Sequence, residues 1–442
     1  MGDFIIRNDV LYNYNGESDV MRIPDGVVRI DVTISSSSCA ENIKEIYLPA
    51  SLRRIDTRAF GGFSSLTCFH VDPGNEKMCE VNGIIYSKNM SELILCPEGY
   101  EGEVVIPDGV EIIKPYAFGT CEKLTYIEFP ETVLEIQQGA LSGCSGISNL
   151  VLPKSLKVLG QDSLFNMHAI TKLIIPQNLS RFGEGWGDVI NSKNLDVLEV
   201  DAKNKNYSTV DGILFSKKGD KLRFCPNGKK GVVNLPEGVE EINAQAFADC
   251  AMVTEIKLPS TLKKIGSLAF LGCESLTTIT IPSNINTIGK NIFENCKKLS
   301  TVNLNDGLEK IDDEAFLGCI SLDKVVIPKT VKKISQSAFR EGITIIALPD
   351  LFKKMCKTTK NRTAIEYLVD DTYFYEELRT DIEAYILKAK KEILEQIIDE
   401  DIASALTRYS SLVALSKKNV DDAIKAATEK NSVEVLAALQ SI

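Results

Sequence analysis

The chain has 442 residues, of which 44% are hydrophobic and 25% are charged, a composition typical of a soluble protein with enough apolar material for a core. The net charge of −11 argues against nucleic acid as a partner, because phosphate binding needs a basic surface. No apolar run reaches the roughly 20 residues of a membrane-spanning helix, and the N-terminus lacks a basic start followed by an apolar stretch, so we expect neither membrane insertion nor a secretory signal.

Residues 1–48 are predicted to form an N-terminal cap hairpin and a first irregular repeat. The stretch NDVLYNYNG at 8–16 is a shortened relative of two longer hairpin segments further along the chain, and IPDGV follows it at 23–27. A cap is expected because the first turn of a repeat array has an apolar face that no earlier turn covers.

A 23-residue repeat accounts for most of the chain. Its marker is a proline, which recurs at that spacing in two runs: Pro107, Pro130, Pro153 and Pro176, then Pro236, Pro259, Pro282, Asn305 in place of proline, and Pro328. Apolar residues recur after it, and in one unit they are Leu262, Ile265, Ala269, Phe270, Cys273, Leu276, Ile279 and Ile281. The alternation at the end predicts a short strand that proline terminates. So short a unit buries eight apolar side chains only against neighbouring turns, which predicts a solenoid with a parallel sheet.

The pattern I-P-x2-V-x2-I-x3-A-F-x2-C-x2-L-x2-I resembles the BspA-type leucine-rich repeat, a bacterial and protozoal variety, over about residues 1–349. The resemblance implies an α/β repeat solenoid, a right-handed superhelix with a parallel sheet on its concave face. We place the regular repeats at 49–349.

Two insertions interrupt the period, at about 72–106 and 201–235. The stretches 71–110 and 200–239 align without a gap at an offset of 129 residues, so that Gly83 falls on Gly212 and Cys96 on Cys225. In the second insertion GILFS, the turn KKGD and KLRFCP predict a β-hairpin, and the aligned residues of the first insertion predict the same hairpin.

The repeat that follows Pro176 departs most from the pattern. GEGWGDVI at 183–190 replaces Ala-Phe-x-x-Cys and contains the only tryptophan, Trp186. Two interpretations remain open here, a local binding feature and a degenerate repeat beside an insertion.

Residues 350–442 are predicted to form a C-terminal helical domain. Four stretches have helical periodicity: DIEAYILKAKKEILEQII, DEDIASALTRYSSL, KKNVDDAIKAATEKN and SVEVLAALQSI. The spacing resembles ankyrin-type helix pairs weakly, because the T-P-L-H signature is missing. We expect these helices to cover the last turn of the solenoid.

Six of the twelve cysteines occupy one repeat column, namely Cys121, Cys144, Cys250, Cys273, Cys296 and Cys319. Met167 fills the same column, which is typical of interior packing, and the C-x2-C spacing of metal sites does not occur. We therefore expect buried, reduced thiols, no metal and no cofactor. Reduced thiols without a secretory signal indicate a cytoplasmic protein; if a leader was removed, the cell surface or secretion is the alternative.

One pair of residues has the side-chain types that nucleophilic catalysis uses. Cys68 and His70 are predicted on the same face of one strand, but such side chains lie about 7 Å apart and no third residue to orient the histidine is apparent. We therefore predict no catalytic residues and treat a cysteine-dependent enzyme as the least favoured function.

The concave face remains as a site for a partner. The residues predicted to form it are Tyr126, Glu128, Val151, Lys172, Ile174, Val197, Glu255, Lys257 and Lys324. Tyr126, Val151, Ile174 and Val197 form an apolar run over successive turns, which indicates either a protein contact or ordinary sheet surface. We predict a non-enzymatic scaffold that binds a protein through this face, with adhesion as one form that this binding can take. The alternative is an intracellular module whose helical domain holds the partner while the repeats act as a spacer.

Overall fold

The computed structural model describes residues 3–32, 34, 40–182 and 191–441. They form two compact units, Met1–Lys230 with Glu241–Met252, and Gly231–Glu240 with Val253–Ile442. The segment around Trp186, for which two interpretations were open, lies outside the described residues. Both units contain stacked solenoid turns, and the second also contains the helices, which confirms the predicted fold class.

A regular turn typically contributes one longer strand and one strand of only two residues, but residues 147–152, before Pro153, do not form the longer strand. In the turn around Pro282 the longer strand is Thr278–Ile281, and the proline ends it because proline has no N–H for the ladder. The N–H of Ile285 then donates to the Pro282 carbonyl in a tight turn, and the two-residue strand Thr287–Ile288 follows. The turns therefore stack through two parallel sheets, whereas the sequence indicated only one.

The first unit begins with an antiparallel pair and continues as alternating longer and short strands. Its strands are β1 (Phe4–Arg7), β2 (Val10–Tyr14), β3 (Val20–Arg22), β4 (Arg29–Ile30), β5 (Glu45–Leu48), β6 (Arg54–Ile55), β7 (Cys68–Val71), β8 (Met78–Val81), β9 (Ile84–Ser87), β10 (Glu92–Leu95), β11 (Gly102–Val105), β12 (Ile112–Ile113), β13 (Leu124–Glu128), β14 (Glu135–Ile136), β15 (Val158–Leu159), β16 (Lys172–Ile175), β17 (Arg181–Phe182), β18 (Val197–Val200), β19 (Tyr207–Val210), β20 (Ile213–Ser216), β21 (Lys221–Phe224) and, after the strand that belongs to the second unit, β23 (Glu241–Ile242).

The second unit repeats the alternation. Its strands are β22 (Gly231–Asn234), β24 (Val253–Lys257), β25 (Lys264–Ile265), β26 (Thr278–Ile281), β27 (Thr287–Ile288), β28 (Thr301–Leu304), β29 (Lys310–Ile311), β30 (Lys324–Val326), β31 (Lys333–Ile334) and β32 (Thr344–Ile346). The longer strands β22, β24, β26 and β28 form one parallel sheet, and the short strands β27, β29 and β31 form another.

The two insertions are more than hairpins at the edge of a turn. Strands β9 and β10, and likewise β20 and β21, form the predicted antiparallel hairpins, and each gains a third strand, β8 or β19. Strand β10 then pairs in parallel with β12, and β21 with β23, so each hairpin supplies a short strand to the solenoid. Each insertion thereby completes an additional turn.

The apolar columns of the repeat form the core. Phe270, Phe293, Phe316 and Phe339 stack face to face, with successive ring centroids 5.1, 5.2 and 4.8 Å apart. This spacing is that of adjacent strands, so each phenyl ring packs on the ring one turn away. One turn therefore buries the apolar side chains of the next, as the short repeat requires.

Seven described helices follow the last strand. They are α1 (Pro349–Lys354), α2 (Lys357–Val369), α3 (Glu376–Lys388), α4 (Lys390–Asp399), α5 (Ala403–Leu412), α6 (Lys417–Lys430) and α7 (Val433–Leu439). The four periodic stretches correspond to α3 through α7, since the first of them divides at Ala389. Helix α2, which the sequence analysis did not identify, packs against β32, and its Thr363 Oγ1 accepts a hydrogen bond from the Ile345 N–H at 3.1 Å.

Candidate interaction surface

The outward side chains of the longer strands form two columns in each unit, here called the sheet face. Alternation along the strand creates these columns, because every second side chain points away from the core. Strand register places Glu103 beside Tyr126 and Val105 beside Glu128. It likewise places Lys172 beside Val197 and Ile174 beside Glu199.

Exposed apolar side chains recur at one repeat position of the first unit, two residues before a repeat proline. Val105 on β11 and Ile174 on β16 are 63% and 49% exposed. Val151 has the same repeat position and is 57% exposed, although the predicted strand is not formed there. Tyr126 and Val197 are half-buried. Val105 was not among the predicted residues, because it belongs to the insertion and falls outside the 23-residue count. Exposed apolar side chains that recur at one repeat position are unfavourable in water, and a partner that covers them would remove this cost.

Two of the charged side chains on this face already bind each other. Lys172 Nζ lies 2.6 Å from Glu199 Oε1, so these two side chains form an ion pair across adjacent turns. Glu128 is exposed. The apolar side chains therefore have charged neighbours, an arrangement that favours a partner with both apolar and polar contacts.

The sheet face of the second unit is more polar. Glu255 and Lys257 lie on β24, where register places them beside Val232 and Asn234 of β22. A shallow groove runs from Glu255 and Lys257 past Thr278 and Thr280. Val232 is an exposed apolar residue of the second insertion, and it escaped prediction for the same reason as Val105.

Lys324 lies where the sheet face of the second unit meets the helices. Its Nζ is 2.7 Å from Glu366 Oε1 of α2 and 5.1 Å from the ring centroid of Tyr373. A groove at this place is lined by Thr301, Asn303, Lys324, Val326, Tyr373 and Tyr375, among others. Tyr373, in the connection between α2 and α3, is 60% exposed.

The eleven described cysteines are all free thiols, and those of the repeat column are buried. Cys144 Sγ donates to the Phe118 carbonyl at 3.1 Å, and Cys319 Sγ donates to the Phe293 carbonyl at 3.1 Å, each across one turn. Burial raises the pKa of Cys144 well above its usual value. The column therefore consists of buried thiols that pack and form weak hydrogen bonds.

Cys68 and His70 have neighbours that the sequence did not indicate. His70 Nε2 lies 3.2 Å from Glu45 Oε2, and His70 Nδ1 lies 3.8 Å from Glu80 Oε2. The histidine therefore has two flanking carboxylates, which corrects the expectation that no third residue accompanies the pair. Burial, together with Glu80 and Glu45, raises the pKa of Cys68. A nucleophilic cysteine needs the opposite shift, so this environment disfavours thiol catalysis.

Within the described residues, none of the helices has the length and apolar character needed to cross a bilayer. A family model described as the BspA type leucine rich repeat region matches residues 6–92, 101–208 and 224–345, with six copies. No curated protein matches the sequence.

Three of the solved structures that match this chain are bacterial proteins. A leucine rich cell surface protein from Faecalibacterium prausnitzii A2-165 is 21% identical, with a TM-score of 0.52, over 81% of this chain and 94% of that one. The pneumococcal vaccine antigen PcpA is 17% identical, with a TM-score of 0.45, over 80% and 94% of the two chains. A leucine-rich repeat protein from Bacteroides ovatus ATCC 8483 is 23% identical, with a TM-score of 0.38, over 78% and 97%. The first of these likenesses shows a shared fold.

Proposed function

The chain belongs to the BspA-type leucine-rich repeat family, and from that premise we propose that it is a non-enzymatic scaffold whose sheet face binds a protein. One observation carries the proposal: Val105, Val151 and Ile174 are exposed apolar side chains at the same repeat position of the first unit. Repeat proteins bind large partners through such extended surfaces, because each turn adds contact area. The acidic Glu128 and the ion pair of Lys172 with Glu199 would border the contact.

The test compares two charge-introducing variants of the full chain. Val151→Asp with Ile174→Asp places carboxylates in the proposed contact, and Lys157→Glu changes an exposed residue just before the short strand β15, away from the sheet face. A partner captured by the unmodified protein is expected to lose at least about tenfold in affinity for the first variant, since buried unpaired charges weaken an interface by more than 1.4 kcal/mol. Equal binding by both variants would refute the sheet-face site.

A second candidate function places the partner against the helices. The observation that favours it is the groove between the sheet face of the second unit and Tyr373, an exposed aromatic residue of the kind enriched at interface centres. Tyr373→Ala is expected to weaken binding by at least about tenfold in this case, whereas the Val151→Asp with Ile174→Asp variant binds normally. The reverse pattern supports the sheet face of the first unit.

The compartment is part of the proposal. Buried free thiols support a cytoplasmic protein, whereas the cell-surface relative from Faecalibacterium prausnitzii supports the alternative location. Counting thiols that react with an alkylating agent, without reductant, separates the two. Nearly twelve reactive thiols after denaturation and few before it would support the cytoplasm; far fewer after denaturation would indicate disulfides and an exported protein.

A further inference from the structure

We propose that Cys68, His70 and Glu80 form a binding site for a divalent transition-metal ion, and that Zn²⁺ is the ion it fits. The sulfur, one ring nitrogen and one carboxylate oxygen all lie within 4.8 Å of one another. Strand β7 supplies Cys68 and His70, and strand β8 of the first insertion supplies Glu80. The insertion therefore brings the third donor to a pair that already shares a strand face.

His70 is oriented as a metal-ligating histidine is. Its Nε2 lies 3.2 Å from Glu45 Oε2, so a proton on Nε2 donates to that carboxylate and leaves the Nδ1 lone pair facing Glu80. The ring also stacks on Tyr47, with centroids 4.3 Å apart. A carboxylate behind the histidine is the usual device that fixes the tautomer and raises the basicity of the ligating nitrogen.

One carboxylate oxygen of Glu80 is buried and makes no hydrogen bond to the part of the chain that the structure describes. Its Oε2 is shielded from solvent and has no hydrogen-bond partner among the described residues. An unpartnered buried carboxylate oxygen is unfavourable, and a cation at this place would remove the cost. Glu45 stands on the other side of the histidine, so the surroundings of the site attract positive charge.

The second insertion shows that the fold does not need these residues. At the offset of 129 residues, Cys68, His70 and Glu80 correspond to Val197, Glu199 and Thr209. These residues stand on β18 and β19, the counterparts of β7 and β8, so the same strands form without the sulfur and nitrogen donors. A purely structural explanation therefore does not account for the cluster.

The donor set selects the class of ion. Thiolate sulfur, imidazole nitrogen and one carboxylate oxygen suit Zn²⁺ and its analogue Co²⁺, whereas Ca²⁺ and Mg²⁺ take oxygen ligands. All three residues are half-buried, so a fourth position would remain open to water or to a side chain of a partner. Binding replaces the Cys68 thiol proton, and one proton is released for each ion bound.

The experiment is a Co²⁺ titration of the full chain followed by competition with Zn²⁺. We expect one equivalent of Co²⁺ to produce the near-ultraviolet charge-transfer band of a thiolate–Co²⁺ bond, and Zn²⁺ to abolish it. Cys68→Val, which introduces the residue of the second insertion, is expected to remove the band, and Glu80→Thr to weaken binding. Glu45→Gln is expected to weaken it about tenfold or more.

Cys79 provides the matched control. It stands next to Glu80, is half-buried and corresponds to Ser208 in the second insertion, so Cys79→Ser is a substitution that the fold accepts. This variant should retain the band and the affinity. An absent band, a band that persists in Cys68→Val, or one that Cys79→Ser also removes would overturn the proposal. Circular dichroism confirms that each variant is folded.

Discussion

The thiol of Cys296 illustrates what one repeat column contributes. Its Sγ donates to the Phe270 carbonyl at 3.2 Å, and that carbonyl also accepts the N–H of Cys273. Hydrogen bonding with the Cys319 thiol, together with burial, raises the pKa of Cys296 well above its usual value of 9.0. Cysteine suits the column because it is small and apolar and still offers a weak donor to a carbonyl one turn away.

Cys296→Ala should therefore destabilise the protein. The substitution removes a fully buried sulfur and its hydrogen bond to the Phe270 carbonyl and leaves a cavity, so we expect the free energy of unfolding to fall by about 1–2 kcal/mol. Urea denaturation followed by circular dichroism measures it. Cys356→Ser, at an exposed thiol, is the control and should change the value by less than about 0.5 kcal/mol. Equal effects would contradict a packing role for the column.

At the level of elements, a buried asparagine fastens each insertion to the turn before it. Asn204 donates to the carbonyls of Pro176 at 2.7 Å and Leu179 at 3.1 Å, and its Oδ1 accepts the N–H groups of Asn206 and Tyr207. Asn75 makes the equivalent four bonds in the first insertion. One amide side chain thus satisfies four main-chain groups where the regular hydrogen bonding is interrupted.

Replacing this amide should lower the stability of the protein. Asn204→Ala removes the acceptor of the Asn206 and Tyr207 N–H groups and one donor from each of two carbonyls in a buried place, so we expect a loss of about 2–4 kcal/mol in the free energy of unfolding. Asn178→Ala removes a single exposed bond to the Lys154 carbonyl and should cost less than about 1 kcal/mol. Denaturant midpoints of the two variants provide the comparison, and similar midpoints would refute the fastening role.

Among the helices, Asp371 makes the stability of the fold depend on pH. The Arg408 guanidinium hydrogen-bonds it at 2.8 Å, Arg379 also binds it, and these contacts lower its pKa to about 2. A pKa below the usual 3.8 means that the carboxylate stabilises the fold at pH above about 4 and that this contribution is lost as the pH falls toward 2.

Asp371→Asn is accordingly expected to lower stability at pH 6 and to reduce the further loss between pH 4 and pH 2. Urea midpoints across this range, for the unmodified protein and the variant, test the expectation. Arg408→Gln removes the main cause of the shift and should reduce the acid-induced loss in the same direction. An acid-induced loss of unchanged size in both variants would show that other carboxylates account for it.

At the level of the whole molecule, the sequence predicted the structural features that depend on a periodic pattern of residues. The apolar columns, the longer strands, the two hairpins and the helical C-terminal region were all predictable because each rests on several periodic residues. The short strands were not, since two residues such as Lys310 and Ile311 are too few to show the alternation of a strand, although Ile311 lies in an apolar column, and they pair only when turns stack. The cluster at His70 was also missed, because Glu80 reaches it from another strand and no spacing encodes that approach.

The helices also cover the last strand of the solenoid. All three residues of β32 are buried, Thr363 of α2 binds both main-chain groups of Ile345, and Tyr375 donates to the Ile327 carbonyl at 2.8 Å. A chain that ends at Leu348 would expose this strand, and an unprotected apolar turn with free edge groups favours association between chains.

We therefore expect the chain truncated after Leu348 to elute as dimers or larger species in size-exclusion chromatography with light scattering, at concentrations where the full chain does not. Its melting temperature should also depend on concentration. A truncated monomer as stable as the full chain would contradict a covering role for the helices. Because truncation changes association as well as removing the helices, Tyr373→Ala, which keeps β32 covered, is the better test of whether the helices hold a partner.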